Sequence, residues 1–284
     1  MMWMSWPPPR TPPSSSRPGK NRPAPRCHIW KACSRGGGSS ARARPSRRCT
    51  MSSWPNDAVL WETLPLEGTV ARIRRPQQGE ATGPVAILLH GWTGDESFMA
   101  PFAEILPPEV LVVAFRAPRP AQSPRGGYSW VDYDPDDQPP DFSQYQPATA
   151  RLAAWLAALG ERFPRAHWES QHWMGFSQGA STAGTYALER PRGVASLALL
   201  AGFLPTGAEK WASRRPLEGL PAFIAHGLHD ALVPIHHAHH AADVLTQAGA
   251  RVEFCTDEVA HKVGARCKKA LAAFYAGALG LMGG

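Results

Sequence analysis

The stretch "HWMGFSQGAS", residues 172–181, restricts the possible folds of this chain more than any other segment. A short apolar run ends at Gly175, Ser177 follows two residues later, and Gly179 two residues after that. Glycines flanking a serine at this spacing remove the Cβ atoms that would clash where a strand turns sharply into a helix. Such a turn leaves the hydroxyl projecting above the sheet. The following segment, "QGASTAGTYALER", is rich in small residues and can approach a sheet closely. Its N-terminus would direct partial positive charge at the place where an oxyanion forms. The motif therefore asks for a strand, a turn and a helix in that order.

The rest of the chain supplies a matching pattern. From about residue 70, short apolar or β-branched runs alternate with longer helical patterns. Strands are expected at 69–74, 85–89, 110–115, 168–175, 196–202, 221–226 and 251–256, and helices at 96–106, 148–163, 178–190, 235–248 and 264–279. This alternation predicts an α/β fold, a mostly parallel sheet with helices on both faces. Segment 117–146 lacks clear periodicity, which marks a functional or disordered loop. Its aromatic residues Tyr128, Trp130 and Tyr133 are expected to roof an apolar pocket. Its five aspartates read as a solvated loop, because no regular ligand spacing with a glycine turn is present.

The net charge of +7 invites a nucleic-acid reading until the charges are located. Residues 1–50 hold 11 of the 30 Lys and Arg and none of the 23 Asp and Glu, leaving a net −4 for residues 51–284. The basic segment is rich in Pro, Ser, Gly and Arg without apolar periodicity, so disorder is expected there. It has no apolar core of a secretory signal, nine prolines oppose an amphipathic transit helix, and a nucleic-acid arm would want interleaved aromatics. Translation is expected to begin at Met51, where "MSSWPNDAVLWETLPLEG" starts to read as a folded domain spanning 51–284. Nucleic acid is therefore not expected as a partner. Five scattered cysteines show neither a disulfide framework nor paired metal-ligand spacing, which fits a reducing, cytoplasmic location. The most apolar stretches, 194–204 and 270–284, fall short of the roughly 20 residues of a membrane span, so no stable membrane insertion is expected.

A serine hydroxyl is a poor nucleophile near neutral pH and needs a base, with a third group to orient that base. After the expected strand "PAFIAHG", Asp230 lies in a loop at a strand's C-terminal end, where active-site residues of open α/β sheets collect. After "RVEFCT", the loop "DEVAHKVGA" brings His261 ahead of the last helix. Asp230 is the expected acid and His261 the expected base. Asp257 and Glu258 are rival acids on the histidine's own loop, and His229 and His90 are rival bases. In "VAILLHGWTGDESF", Gly91 would let the chain pass over the nucleophile, so the backbone N–H groups of Trp92 and Gln178 are the expected oxyanion donors. His90 is expected to fix the loop, and Thr93 with Glu96 has capping-box spacing. Trp92, Tyr128, Trp130 and Phe176 are the expected pocket residues. His236, His237, His239 and His240 have helical metal-binding separations, but neither a carboxylate nor a distant ligand is implied, so no functional metal is expected.

In order along the chain, "LLHGWTGDE", "GFSQGA", "GLHDALVP" and "AHKVG" resemble the phospholipase/carboxylesterase family of α/β-hydrolases, which includes acyl-protein thioesterases and small bacterial esterases. The resemblance covers roughly residues 66–279, with Ala260 standing where the family often has glycine. It implies the α/β-hydrolase fold, a Ser177, Asp230 and His261 triad, and hydrolysis of a small-molecule carboxylic ester or thioester without metal or organic cofactor. Short to medium acyl or alcohol groups are the expected substrates. The alternatives are a thioesterase or lysophospholipase activity, and a binding protein that keeps the fold without catalysis.

Overall fold

The computed structural model describes residues 61–77, 80–133 and 140–280. The tail 1–50, the expected start at Met51, and loop residues Asp134, Asp136 and Asp137 lie outside them. In chain order the elements begin with β1 (Trp61–Leu66), β2 (Thr69–Arg74), β3 (Pro84–Leu89), α1 (Ala100–Ala103) and β4 (Leu111–Phe115). Two short strands follow, β5 (Arg119–Pro120) and β6 (Tyr128–Ser129), then α2 (Phe142–Arg162), β7 (His167–Phe176), α3 (Gln178–Glu189) and β8 (Val194–Leu200). The chain continues through α4 (Ala208–Ala212), β9 (Pro221–Gly227), α5 (Ile235–Gln247), β10 (Arg251–Asp257) and α6 (Ala265–Ala278).

Eight strands form one sheet in the order β1-β2-β4-β3-β7-β8-β9-β10, and β5 pairs with β6 apart from it. β2 pairs antiparallel with both β1 and β4, whereas every pairing from β4 to β10 is parallel. Parallel strands covered on both faces read as unbroken apolar runs, and "LVVAF" in β4 is buried throughout. One core packs Val85, Ile87 and Leu89 against α2, α3 and α5; the other packs Ala86 and Leu88 against α1 and α6. The fold is the expected mostly parallel sheet with helices on both faces. All seven expected strands occur within two residues of their bounds, and β1 is an additional edge strand.

The helices differ more. The expected helix 96–106 shrinks to the single turn α1, because Asp95 Oδ1 accepts the Ser97 N–H in a local turn and prolines bracket the remainder. The expected capping box of Thr93 and Glu96 does not form, because Glu96 makes two 2.6 Å hydrogen bonds to Arg116 instead. α2 starts six residues earlier than expected. Its N-cap Asp141 accepts the Ser143 and Gln144 N–H groups, and Gln144 reaches back to the Asp141 N–H, which stabilises a start that Pro147 disguises in the sequence.

The expectation of unpaired cysteines is corrected. Cys255 on β10 and Cys267 on α6 form a disulfide with Cα atoms 5.6 Å apart, closing the segment that contains His261. The pairing arises from α6 packing against β10, and twelve residues of separation gave no local sign of it. The cysteine argument for a reducing compartment falls with it. Closing a loop of this length stabilises by about 3 kcal/mol in the chain-entropy account. Reduction with dithiothreitol should therefore lower the melting temperature by roughly 5–10 °C. An unchanged melting temperature, with thiol titration showing two newly freed cysteines, would remove that contribution. No described helix is long and apolar enough to cross a membrane.

Candidate active site

Ser177 lies between β7 and α3 with φ 53° and ψ −119°, a conformation that costs a non-glycine residue about 1–3 kcal/mol. Close packing around the turn maintains it. A Cβ on Gly175 would lie 2.2 Å from the Gly179 carbonyl oxygen, and one on Gly179 would lie 2.3 Å from that of Leu89. The two glycines thus let α3 sit against the ends of β7 and β3. Residues 178–188 of α3 are all buried.

Asp230 and His261, the expected acid and base, arrive on the next two strand ends. A Cβ on Gly227 would lie 2.2 Å from the Ala260 carbonyl oxygen, so the loops after β9 and β10 interlock. Leu228 N–H donates to Asp257 O at 2.8 Å and His229 N–H to Val259 O at 3.0 Å, tying the two loops together. This packing brings the three sequence-expected residues into contact. His261 Nε2 lies 3.0 Å from Ser177 Oγ, and His261 Nδ1 lies 2.7 Å from Asp230 Oδ2. Asp230 is 5% exposed, and its Oδ1 accepts the Leu232 and Val233 N–H groups at 3.0 and 2.9 Å. A neutral imidazole in this arrangement donates Nδ1–H to the carboxylate and accepts the serine proton at Nε2.

The rival residues are engaged elsewhere. Asp257 Oδ2 accepts the Cys267 N–H in the first turn of α6, and Glu258 pairs with exposed His229 at 2.7 Å. His90 is buried, and burial pushes its imidazole down to about 4, so it is neutral. Its Nδ1 donates to Gly91 O at 2.7 Å and its Nε2 accepts the Ala117 N–H at 3.0 Å, bracing the loop after β3.

The backbone N–H groups of Trp92 and Gln178 donate no hydrogen bond among the described residues. Beside them, Thr93 N–H is spent on Tyr128 O and Gly94 N–H on Gly91 O. The sequence did not reveal how firmly this loop is tied down. Gln178 Oε1 accepts the Trp130 N–H at 2.9 Å, and Trp130 Nε1–H donates to His90 O at 2.8 Å, so the residue next to Ser177 holds the Trp130 loop and Trp130 in turn holds the loop after β3.

The four expected pocket residues are not equally placed. Trp130 is 2% exposed behind the loop it braces. Tyr128 is half-buried beneath the Arg116 guanidinium, 4.5 Å from its ring centroid. Trp92 packs edge-on to Tyr133 at 5.3 Å. Phe176 lies 5.1 Å from the His261 ring, and Phe98 packs against Phe176 in a tilted arrangement, also at 5.1 Å. Phe98 is 42% exposed and was missed, although a phenylalanine in a polar turn was the available signal. Of the histidines of α5, His240 pairs with Glu209 at 2.9 Å, His239 stacks on Phe254, and the His236 and His237 rings lie 4.2 Å apart. Among the described residues no group of three or more His, Cys, Asp or Glu could hold a metal ion.

A family model described as phospholipase/carboxylesterase matches residues 70–276. Among solved structures, the carboxylesterase from Mesorhizobium loti superposes with a TM-score of 0.63 at 21% identity, over 76% of this chain and 99% of its own. The Bacillus cereus carboxylesterase gives 0.61 at 20%, over 74% and 94%. Acyl-protein thioesterase 2 of Zea mays gives 0.61 at 21%, over 74% and 98%. At these identities the superpositions establish the shared fold. No curated protein matches the sequence.

Proposed function

The chain belongs to the phospholipase/carboxylesterase family, and from that premise we propose that it is a serine esterase cleaving carboxylic esters with short to medium acyl or alcohol groups. The observation that carries this reading is the continuous hydrogen-bonded line from Asp230 through His261 to Ser177, at 2.7 and 3.0 Å. Ser177 Oγ attacks the acyl carbon as its proton passes to His261 Nε2. Asp230 holds the ring in the required tautomer and stabilises the imidazolium. The negative oxygen of the tetrahedral intermediate takes hydrogen bonds from the Trp92 and Gln178 N–H groups, at the N-terminus of α3. Collapse expels the alcohol, which takes the proton from His261, and leaves an acyl-enzyme. Water, deprotonated by the same histidine, releases the acid. A thioester would pass through the same intermediates, so the ratio of ester to thioester rates at matched acyl length defines the leaving group. The half-exposed Phe98 and the adjoining Phe176 offer an apolar surface beside His261 for one substituent.

Labelling with a fluorophosphonate, followed by mass spectrometry of the modified peptide, tests the reading. Stoichiometric modification at Ser177 is expected, together with turnover of p-nitrophenyl esters. A folded protein that is not labelled would overturn the triad and favour a binding protein built on the same fold.

A further inference from the structure

His226, the penultimate residue of β9, is 1% exposed, and its side chain lies directly behind the carboxylate of Asp230. Its Nε2 is 2.7 Å from the Val233 carbonyl oxygen and 3.5 Å from Asp230 Oδ2. Because Nε2 faces a carbonyl, it carries the proton and donates it. Nδ1 is then the bare nitrogen, buried and without a hydrogen-bond partner among the described residues. An aliphatic side chain would fill this space without leaving a buried nitrogen unsatisfied, which costs stability. The hydrogen bond to Val233 is the physical return. It fastens the far end of the turn 230–233, whose Leu232 and Val233 N–H groups grip Asp230 Oδ1 and leave Oδ2 aimed at His261.

We propose that His226 is a positioning residue for the triad, holding the acid-bearing turn through Val233 so that Asp230 meets His261 in the productive geometry. The proposal rests on Asp230 and His261 acting as proposed above. Neutrality is part of the device, because a cationic His226 would place a second positive charge against the carboxylate that His261 needs. Burial lowers the His226 pKa, opposed by the Val233 carbonyl and Asp230 and assisted by His261 and by His239 on α5; His237 on the same helix also faces it.

The test compares His226→Phe, which fills the space without the donor, with His226→Gln, whose amide nitrogen can take the place of Nε2. Both are assayed with p-nitrophenyl acetate across pH. His226→Phe is expected to lose about tenfold or more in kcat with little change in KM. The acid limb of kcat/KM should move to lower pH, because a displaced Asp230 no longer stabilises the His261 imidazolium. His226→Gln should restore most of the rate and the position of the limb. A purely structural role would scale activity with the folded fraction and leave the limb in place. Kinetics within twofold of wild type, or an acid limb that is unmoved or moves upward in folded His226→Phe, would overturn the proposal. If His226→Phe does not fold, His226→Asn replaces it, since its shorter amide falls short of Val233, and the same readings apply. Fluorophosphonate labelling of the wild type is recorded alongside. An unlabelled wild type removes the catalytic reading and this proposal together, whereas a labelled wild type with an unmoved limb in the variant removes this proposal alone.

Discussion

Ser177→Ala is expected to fold with nearly wild-type stability and to hydrolyse p-nitrophenyl esters more slowly by a factor on the order of 10⁵. The alanine keeps the positive-φ backbone that the surrounding packing imposes, so the strain at the turn is not relieved and the melting temperature should hardly move. Only Oγ is lost, and with it the atom proposed to form the acyl-enzyme. Any residual rate would come from the Trp92 and Gln178 N–H groups, the proposed oxyanion donors, acting when water attacks directly. The three side chains act as one unit, so Ser177→Ala combined with His261→Ala should be no slower than Ser177→Ala alone. Multiplied effects in the double variant would mean that His261 acts on something other than Ser177. A single variant retaining more than a few per cent of wild-type kcat/KM, and still labelled by a fluorophosphonate, would assign the nucleophile elsewhere.

Local signals made Ser177, the proposed nucleophile, legible in the sequence. Gly175 and Gly179 are needed because backbone oxygens lie where their Cβ atoms would go, and that requirement is written within five residues. The buried parallel strands were legible for a similar reason, since burial on both faces leaves continuous apolar runs such as "PVAILL" and "LVVAF". The order of Asp230 and His261 after the serine could be read because each follows a recognisable strand. Features formed by packing between distant segments left no such trace. β1 alternates around Pro65, a residue tolerated because the strand is an edge, and the proline hid a strand in a stretch that otherwise read only as the start of the folded domain. The Cys255–Cys267 bond requires knowing that α6 returns onto β10. The grip of Gln178 on Trp130, and that of His226 on Val233, join residues whose proximity is set by the sheet rather than by spacing. The sequence therefore identified the groups proposed to react with substrate, whereas the groups that hold them emerged from the structure.

Gly179→Ala, like a methyl added at Gly175 or Gly227, should be severely destructive, because only backbone atoms lie where the new Cβ would go. The new Cβ would lie 2.3 Å from Leu89 O and 2.5 Å from His90 O, both backbone atoms at the end of β3. A flexible side chain could swing aside, but here either α3 or the loop carrying Gly91 and Trp92 must move. Overpacking of this kind costs about 3 kcal/mol, at the upper end of the usual range, because no soft neighbour absorbs it. The same displacement would separate the Trp92 and Gln178 N–H groups, so whatever protein still folds should also lose kcat. Gly219→Ala provides the comparison. Gly219 has φ +73° with nothing within 4 Å of the added atom, and its N–H bond to Gly249 O survives the change, so only a conformational penalty of about 1–2 kcal/mol applies. It lies just ahead of β9, at the end of that strand opposite Asp230, and kcat should be unchanged. Chemical denaturation of the two variants separates a steric cost from a conformational one. If Gly179→Ala were as stable and active as Gly219→Ala, α3 could not sit as close to β3 as the proposed oxyanion site requires.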